Sequence, residues 1–228
     1  MEKLGVEVEY IFHSGFAVET ENHFLVFDYF KGDLEIPYKA TYVFVTHGHE
    51  DHFNPEILDF KGDIKYIFSD DFRDEVKEGT GKNITFMKPY KEKEIDGIQV
   101  KTFSSTDLGL SLLVNVDGID IFFAGDLNWW EWKDDSNREK ELMEHLFKKK
   151  ISRVEGENVD IAFFPVDPRL EENYSLGGEY FIEQLKPKYL FPMHFGDNYS
   201  KNENFIHKTE DLGTKVVNIK HNNQVFKI

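Results

Sequence analysis

Cysteine is absent from this sequence of 228 residues. Its absence excludes a disulfide framework, a thiolate nucleophile and cysteine-ligated zinc or iron–sulfur centres. The chain also lacks an apolar run long enough to cross a bilayer, and its first ten residues lack the basic and apolar segments of a signal peptide. A cytoplasmic location without a membrane span is therefore the default expectation.

Positive charge is scarce as well. The 27 Lys and Arg residues face 43 Asp and Glu residues, which gives a formal net charge of −16. Proteins that bind nucleic acids usually present clustered basic side chains, and the only dense basic run here is KKK at 148–150. That run suits the carboxyl end of a helix. We therefore expect no nucleic acid partner.

Linkers, low-complexity tracts and internal repeats are missing too. The seven prolines are scattered, and no Gly/Ser tract interrupts the chain. The length suits one large domain, and an apolar fraction of 40% with 22 phenylalanines can build a substantial core. We predict a single domain over residues 1–228.

Strand patterns dominate the sequence. An Asp-Gly pair between two apolar runs, VDGID at 116–120, predicts a tight hairpin. Apolar or alternating segments predict ten strands, at 6–12, 23–30, 41–46, 64–69, 98–103, 110–116, 119–125, 159–166, 188–193 and 216–219.

Helical patterns are fewer. An Asn-Pro pair predicts a helix over 54–60, and a segment that ends before a proline predicts another over 177–185. A third helix is predicted over 136–151, with one apolar face formed by Leu142, Leu146 and Phe147. This order of elements predicts an α+β fold, a four-layer αββα sandwich of two mixed β-sheets.

The segment THGHEDHF (46–53) holds three histidines and two acids in eight positions. His47 and His49 follow a predicted strand, so their imidazoles can converge, and Asp51 and His52 come next. Imidazole and carboxylate together suit zinc, manganese or iron, and this spacing supplies ligands for two ions. The alternative is a polar loop whose histidines cap the next helix. We favour a metal site, because the alternative leaves three histidines unexplained.

Two further strand ends carry candidate ligands. Asp126 follows the apolar strand in FFAGDLN, and His194 ends the strand in FPMHF. An aspartate at a strand tip commonly caps a turn, and a lone histidine there is more often structural. Beside the histidine cluster, both residues are better interpreted as ligands, and the carboxylate of Asp126 could bridge two ions.

The order HxHxDH, then a strand ending in Gly-Asp, then a strand ending in His resembles the metallo-β-lactamase fold superfamily over nearly the whole chain. The segments HSGF (13–16), AGDLNWW (124–130) and PVDPR (165–169) resemble its metal-dependent hydrolase branch. That branch includes ascorbate-6-phosphate lactonases and N-acyl-phosphatidylethanolamine phospholipases. The resemblance implies that His47 and His49 hold a first ion, that Asp126 bridges, and that the second ion is held by Asp51, His52 and His194.

One position departs from the family pattern. The family usually supplies another histidine to the first ion, yet residues 53–144 contain none. The matching region, 102–113, offers Asp107 as the best replacement, although a role in a loop or turn remains open. The other polar candidates there are Ser104, Ser105 and Thr106. The first ion is therefore predicted to be weaker, oxygen-rich, manganese-like or absent. We expect one or two divalent ions, zinc or manganese first and iron or nickel next.

The implied activity is hydrolysis by a metal-activated water, with Asp51 orienting the water and passing its proton to the leaving group. The substrate would be a small phosphorylated or acylated molecule, namely a lactone, ester, amide or phosphodiester. Two alternatives remain: an RNA-processing nuclease of the same fold, or a non-catalytic sensor of metal or ligand. A homo-oligomer is compatible with every one of these functions.

Five further residues are predicted to contact the substrate or support the metal site, namely His13, Trp129, Trp130, Asp167 and Arg169. For the two tryptophans, a role as core anchors for the 136–151 helix is an equal alternative. Arg169 could simply pair with a nearby acid.

Overall fold

The computed structural model describes residues 4–74, 76 and 84–228. Within them the chain forms two mixed sheets of seven strands each. The first sheet has the spatial order β14-β1-β2-β3-β4-β5-β6, with β3 to β6 parallel and the remaining pairs antiparallel. Its strands are β1 (Glu7–Phe12), β2 (Gly15–Glu19), β3 (His23–Phe27), β4 (Ala40–Val45), β5 (Ile64–Ser69), β6 (Ile84–Met87) and β14 (Gln224–Lys227).

The second sheet mirrors this arrangement. Its order is β13-β12-β11-β10-β9-β8-β7, with β10 to β13 parallel and the remaining pairs antiparallel. Its strands are β7 (Glu92–Ile95), β8 (Ile98–Ser104), β9 (Leu110–Val116), β10 (Ile119–Phe123), β11 (Ile161–Pro165), β12 (Tyr189–Met193) and β13 (Lys215–Val216).

Aromatic side chains fill the space between the sheets. The ring of Phe27 on β3 stacks at 4.8 Å both on Phe44 of the neighbouring strand and on Phe123 of the opposite sheet. Strand β4 is buried on both faces, because Val43 and Val45 pack in a second apolar cluster on the outer side of the first sheet. Central parallel strands that are covered on both faces have nearly continuous apolar sequences, and the sequence of β4, ATYVFV, fits this pattern.

Three α-helices, α1 (Asn137–Ile151), α2 (Leu176–Leu185) and α3 (Tyr199–Thr209), lie in the described chain. Phe147 of α1 and Phe181 of α2 both contact Phe164 of β11, so these helices cover the second sheet. A 3₁₀ helix, Pro55–Asp59, packs Ile57 against the outer face of the first sheet. Further 3₁₀ helices are Asp70–Phe72, Pro168–Asn173 and Glu210–Leu212.

The predicted α+β fold of two mixed sheets is confirmed, and each of the ten predicted strands overlaps an observed strand. One detail of α1 was wrong. Leu142 is 66% exposed, because the helix turns Phe147 and Ile151 into the core, and position 142 lies about 100° from Met143 around the axis. The proposal of a single domain over 1–228 stays a prediction.

The carboxyl ends of the parallel strands meet at one end of the sandwich. The amide N–H of Leu110, where β9 begins, donates to the carbonyl of Thr46 after β4, with 3.0 Å between nitrogen and oxygen. The amide N–H of His194, after β12, donates to the carbonyl of His13 in the β1–β2 turn at 3.1 Å. These bonds join the two sheets, so that loops from both contribute to one site.

None of the helices in the described ranges combines the length and hydrophobicity that a bilayer crossing requires.

Candidate metal centre

Three buried histidines, His47, His52 and His194, have one ring nitrogen fixed by an oxygen atom. The Nδ1 of His52 donates to Asp28 Oδ2 at 2.7 Å, and the Nδ1 of His194 donates to Asp167 Oδ2 at 2.9 Å. The Nδ1 of His47 lies 3.0 Å from the hydroxyl of Thr46. Fixing Nδ1 in this way orients the opposite nitrogen, Nε2, and is typical of histidines that bind metals.

The carboxylate of Asp126 lies between these rings. Its Oδ1 is 3.1 Å from the Nε2 of His52 and 3.3 Å from the Nε2 of His194. Its Oδ2 is 3.3 Å from the Nε2 of His47 and 3.8 Å from the Nδ1 of His49. Each oxygen thus faces a different pair of histidines, which is the arrangement that a bridging carboxylate requires.

Side-chain ligand atoms come together in two groups at this end of the fold. His47, His49 and Asp126 form one group, here called the first half-site, in which the ligand atoms lie within 4.8 Å of one another. The second half-site meets the same criterion and consists of His13, Asp51, His52 and His194. The buried triplet Asp28, His47 and His52 links the two.

The buried polar atoms of the second half-site, together with one oxygen of Asp126, fit a cation. Among the described residues, no hydrogen-bond partner is found for the Nε2 atoms of His13, His52 and His194 or for Oδ1 of Asp126. Leaving one buried polar group unsatisfied costs about 1–3 kcal/mol, and four lie side by side here. A divalent ion would satisfy all four, and imidazole with carboxylate is a donor set for zinc, manganese, iron or nickel.

The electrostatics of the centre also favour a cation. Burial alone lowers the pKa of His52, but the charges of Asp126 and Asp28 outweigh burial and raise its pKa to about 10. The imidazoles in turn overcome the burial of Asp126 and hold its pKa well below the ordinary value. Carboxylates that retain a proton on a buried imidazole would also stabilise a divalent ion in its place, so ion binding should release protons.

Two glycines let the strands of both sheets approach each other here. Gly109 and Gly125 have φ values of 71° and 54°, which glycine adopts at little cost. A Cβ atom at Gly109 would lie 2.0 Å from the carbonyl oxygen of Thr46, and one at Gly125 would lie 2.8 Å from the Thr46 hydroxyl. The glycine of the Gly-Asp pair therefore positions Asp126 against the His47 loop.

Asp107, the predicted replacement for the missing histidine, lies at the rim of the centre. Its side chain lines the same cavity as Asp126 but belongs to neither half-site. Of its neighbours, Ser104 contacts Lys150 and Tyr90 instead, and the Ser105 hydroxyl accepts a hydrogen bond from the Asp107 amide. A ligand role for Asp107 stays a prediction.

Asp167 and Arg169 form one unit with His194. Asp167 is buried, and the Nε and Nη2 atoms of Arg169 donate to its carboxylate at 2.6–3.1 Å. The contacts with His194 and Arg169 outweigh burial and lower the pKa of Asp167 to about 2. Arg169 therefore does pair with an acid, as one alternative held, yet 59% of its side chain is exposed at the wall of the cavity.

The neighbouring tryptophans point in different directions. Trp130 donates its indole N–H to the carbonyl of Asp126 at 3.0 Å, and its ring contacts His194 edge-on at 5.6 Å. Trp129 instead packs against Phe147 of α1 and Tyr180 of α2. Trp130 thus lines the cavity, whereas Trp129 anchors α1, which agrees with the core-anchor alternative.

Sequence reasoning missed Asp28 and Thr46. Asp28 is fully buried and accepts hydrogen bonds from the amide and hydroxyl of Thr46, at 2.8 and 2.6 Å, besides that from His52. Its position directly after the strand HFLVF is the same strand-end signal that identified Asp126, so this signal could have found it.

Comparison with known proteins agrees with this geometry. Residues 7–194, which include every candidate ligand, match the model of the beta-lactamase superfamily domain. The chain is 25% identical over 215 residues to a UPF0173 metal-dependent hydrolase from Bacillus velezensis, covering 83% of this chain and 85% of that protein.

Solved structures share the fold. One is a novel metallo hydrolase from the archaeon Ignicoccus hospitalis, with a TM-score of 0.69 and 16% identity over 98% of this chain and 99% of that chain. Another is the metallo-beta-lactamase fold protein YhfI from Bacillus subtilis, with a TM-score of 0.65 and 13% identity over 97% of this chain and 99% of that chain.

Proposed function

The chain belongs to the metallo-β-lactamase fold superfamily, and we propose that it is a hydrolase whose metal centre consists of two half-sites joined by Asp126. The observation that carries this proposal is the position of Asp126, with one oxygen toward His52 and His194 and the other toward His47 and His49. The orphaned buried atoms around it support the same conclusion.

Divalent ions in such a centre supply Lewis acidity, which makes a water nucleophilic near neutral pH and polarises a carbonyl or phosphoryl oxygen. Asp51 provides the acid–base group. Its carboxylate is 40% exposed toward the cavity, and the nearby imidazole of His13 is the largest cause of its lowered pKa. An ionised Asp51 can accept a hydrogen bond from the attacking water, orient it, and transfer its proton to the leaving group.

The cavity beside the centre indicates the kind of substrate. Its volume is about 330 Å³, at the lower end of the range for small-molecule sites. Trp130, Trp132, Met143 and Arg169 are among the residues that line it. We propose a substrate with an apolar or ring-shaped body and a phosphate or carboxylate for Arg169. A phosphorylated or acylated lactone, ester, amide or phosphodiester meets this description.

Two other functions remain as outcomes of the test. An RNA-processing nuclease of the same fold is disfavoured by the net charge of −16. A non-catalytic sensor of metal or ligand has one observation in its favour. In the described chain, the first half-site offers only three side-chain ligands.

The test combines metal analysis with hydrolysis. Purified protein loaded with manganese or zinc is assayed on bis-p-nitrophenyl phosphate, p-nitrophenyl acetate and simple lactones, beside Asp126→Asn and the exposed-site control Asp134→Asn. We expect turnover by the wild type and the control. Loss of a partner to a metal ligand costs about 10- to 100-fold, so loss of the bridging ligand should lower kcat/KM by at least about 100-fold.

Retention of both metal and turnover by Asp126→Asn would contradict the proposed centre. Metal binding without hydrolysis of any substrate would favour the sensor. Cleavage of single-stranded RNA that depends on Asp126 would favour the nuclease.

A further inference from the structure

Two histidines at the metal centre have unusual backbones and face each other. His13, in the β1–β2 turn, has a φ of 57°, and His194, after β12, has a φ of 67°. Both lie in the left-handed region, which is strained for a non-glycine residue and persists only where the surroundings fix it. The hydrogen bond between their backbones fixes them to each other across the two sheets. Such paired strain indicates a functional constraint on both imidazoles.

The two imidazoles converge on one point. Their ring centroids are 4.1 Å apart, and the Nε2 of His13 lies 3.3 Å from Oδ2 of Asp51. The Nε2 of His194 lies 3.9 Å from the same carboxylate oxygen. Ligand atoms about 2.1 Å from a shared ion are roughly 3 to 4 Å apart, so these distances suit ligands of one ion.

A hydrogen bond between His13 and Asp51 is the competing explanation. The two atoms lie 3.3 Å apart, and the buried Nε2 of His13 has no other partner in the described chain. The same condition holds for the Nε2 atoms of His52 and His194, which are candidate ligands on other grounds. His13 therefore shares the environment of the candidate ligands, and like His194 it also borders the neighbouring open cavity.

We propose that His13 is a direct ligand of the ion bound by Asp51, His52 and His194. This inference rests on the proposed function and changes the composition of its centre. The second half-site gains an imidazole from the N-terminal turn, while the first lacks the histidine that the family usually supplies. The chain would then bind one ion tightly through the second half-site and hold any other ion less firmly.

The test measures the ion directly. Apo protein is titrated with zinc by competition with a chromophoric chelator, and the number of imidazoles on the bound zinc is counted by X-ray absorption at one equivalent. The variants are His13→Asn and His13→Gln, with His145→Ala on the exposed face of α1 as the matched control and His194→Ala as the positive control. Asparagine tolerates a positive φ, so His13→Asn should preserve the turn.

We expect both His13 variants to weaken zinc binding by at least about 10-fold and to lower the imidazole count by one. His145→Ala should match the wild type. Glutamine can still donate a hydrogen bond to Asp51, so wild-type affinity in His13→Gln would assign His13 an orienting role and overturn the proposal. Should neither His13 variant fold, crystals of the wild type grown with zinc decide the question. An anomalous peak about 2.1 Å from the Nε2 of His13 supports the proposal, and a peak more than about 3 Å away overturns it.

A failure of the inference on His13 and a failure of the proposed function give different results. If His194→Ala loses zinc but the His13 variants keep the wild-type affinity and imidazole count, only the inference on His13 is overturned. If His194→Ala also binds zinc like the wild type, the centre itself is misplaced, and the proposed function fails with it.

Discussion

The two half-sites of the centre differ in how firmly their imidazoles are held. In the second half-site, His52 and His194 are buried, and each donates its Nδ1 proton to a buried carboxylate. In the first half-site, His47 is buried but its Nδ1 contacts the hydroxyl of Thr46 and not a carboxylate, and 42% of the His49 side chain is exposed.

This difference bears on affinity because ordering a mobile ligand opposes binding. A ring already fixed by a charged partner loses little rotational freedom when an ion arrives. The carboxylate also makes the opposite ring nitrogen more basic and therefore a better metal ligand. An exposed ring must first be ordered, and a hydroxyl supplies no negative charge. We therefore expect unequal affinities for two ions, with the tighter ion in the second half-site.

The largest expected effect is the loss of the tight ion. His52→Ala removes a ring that contacts Asp28 on one side and Asp126 on the other, so it should weaken the first equivalent of zinc by more than about 100-fold. His49→Ala should leave the first equivalent in place and affect only the second. Two-site calorimetric titration with metal analysis measures both. Equal losses in the two variants would show that the half-sites are equivalent and would contradict the expected difference in their affinities.

An intermediate effect is expected from the partner of His194. Asp167→Asn keeps the shape of the side chain but removes the negative charge on the Nδ1 side of the ring, so zinc affinity should fall by about 10- to 100-fold. Arg169→Gln is the control, because it removes the other partner of Asp167 and should leave zinc affinity within a few-fold of the wild type. A larger loss in Arg169→Gln than in Asp167→Asn would mean that the arginine, not the carboxylate, orients His194.

The candidate ligands that the sequence indicated all carry a local signal. The histidine cluster, Asp126 and His194 each follow an apolar run, and the structure brings them together. Asp28 carries the same signal but is followed by Tyr29 and Phe30, so the apolar pattern continues past it and predicts a strand that runs to residue 30. The observed strand ends at Phe27, where Asp28 turns with a φ of 42°. Its partners lie 18 and 24 residues away, and no local pattern records them.

The sequence also does not show in which direction a side chain points. Trp129 and Trp130 are adjacent and chemically identical, yet one packs on α1 and the other lines the cavity. The inward face of α1 was also misassigned at Leu142, because that face depends on how the helix packs on the second sheet.

Four strands were missed, β2, β6, β7 and β14. β7 and β14 lie at sheet edges, and the mostly exposed EKEI of β7 has no apolar alternation.

A histidine–carboxylate pair also lies at the opposite end of the sandwich, away from the candidate metal centre. His23 begins β3, and its Nδ1 lies 3.0 Å from Oδ2 of Asp117 in the β9–β10 turn. The same carboxylate accepts hydrogen bonds from the Thr20 hydroxyl at 2.6 Å and from the backbone and side chain of Asn22 at 3.0 and 3.1 Å. Neither His23 nor Asp117 belongs to a group of candidate ligands in the described ranges, and the pair joins the two sheets through hydrogen bonds.

The smallest effect is therefore expected from Asp117→Asn, and it should concern stability alone. Asparagine suits the positive φ of 48° at this turn, so the substitution removes the charge and keeps the backbone. The free energy of unfolding at neutral pH should fall by about 1–3 kcal/mol, measured by urea denaturation, while zinc content stays unchanged. Burial raises the pKa of Asp117, but the hydrogen bonds from Thr20, Asn22 and His23 outweigh burial and lower it below its ordinary value.

The pH dependence follows from that lowered pKa. A carboxyl group whose pKa is lower in the folded than in the unfolded state stabilises the fold above its unfolded pKa of about 3.9, and this contribution is lost as the pH falls through the folded pKa. The contribution of the Asp117 carboxylate to the stability difference between wild type and Asp117→Asn should therefore be constant from about pH 5 to 7 and shrink below about pH 4. A difference that stays constant under acid would show that the charge of Asp117 is not its source. A loss of zinc in the variant would contradict a purely structural role, and the grouping of several imidazoles around Asp126 would then lose its force as evidence for a metal.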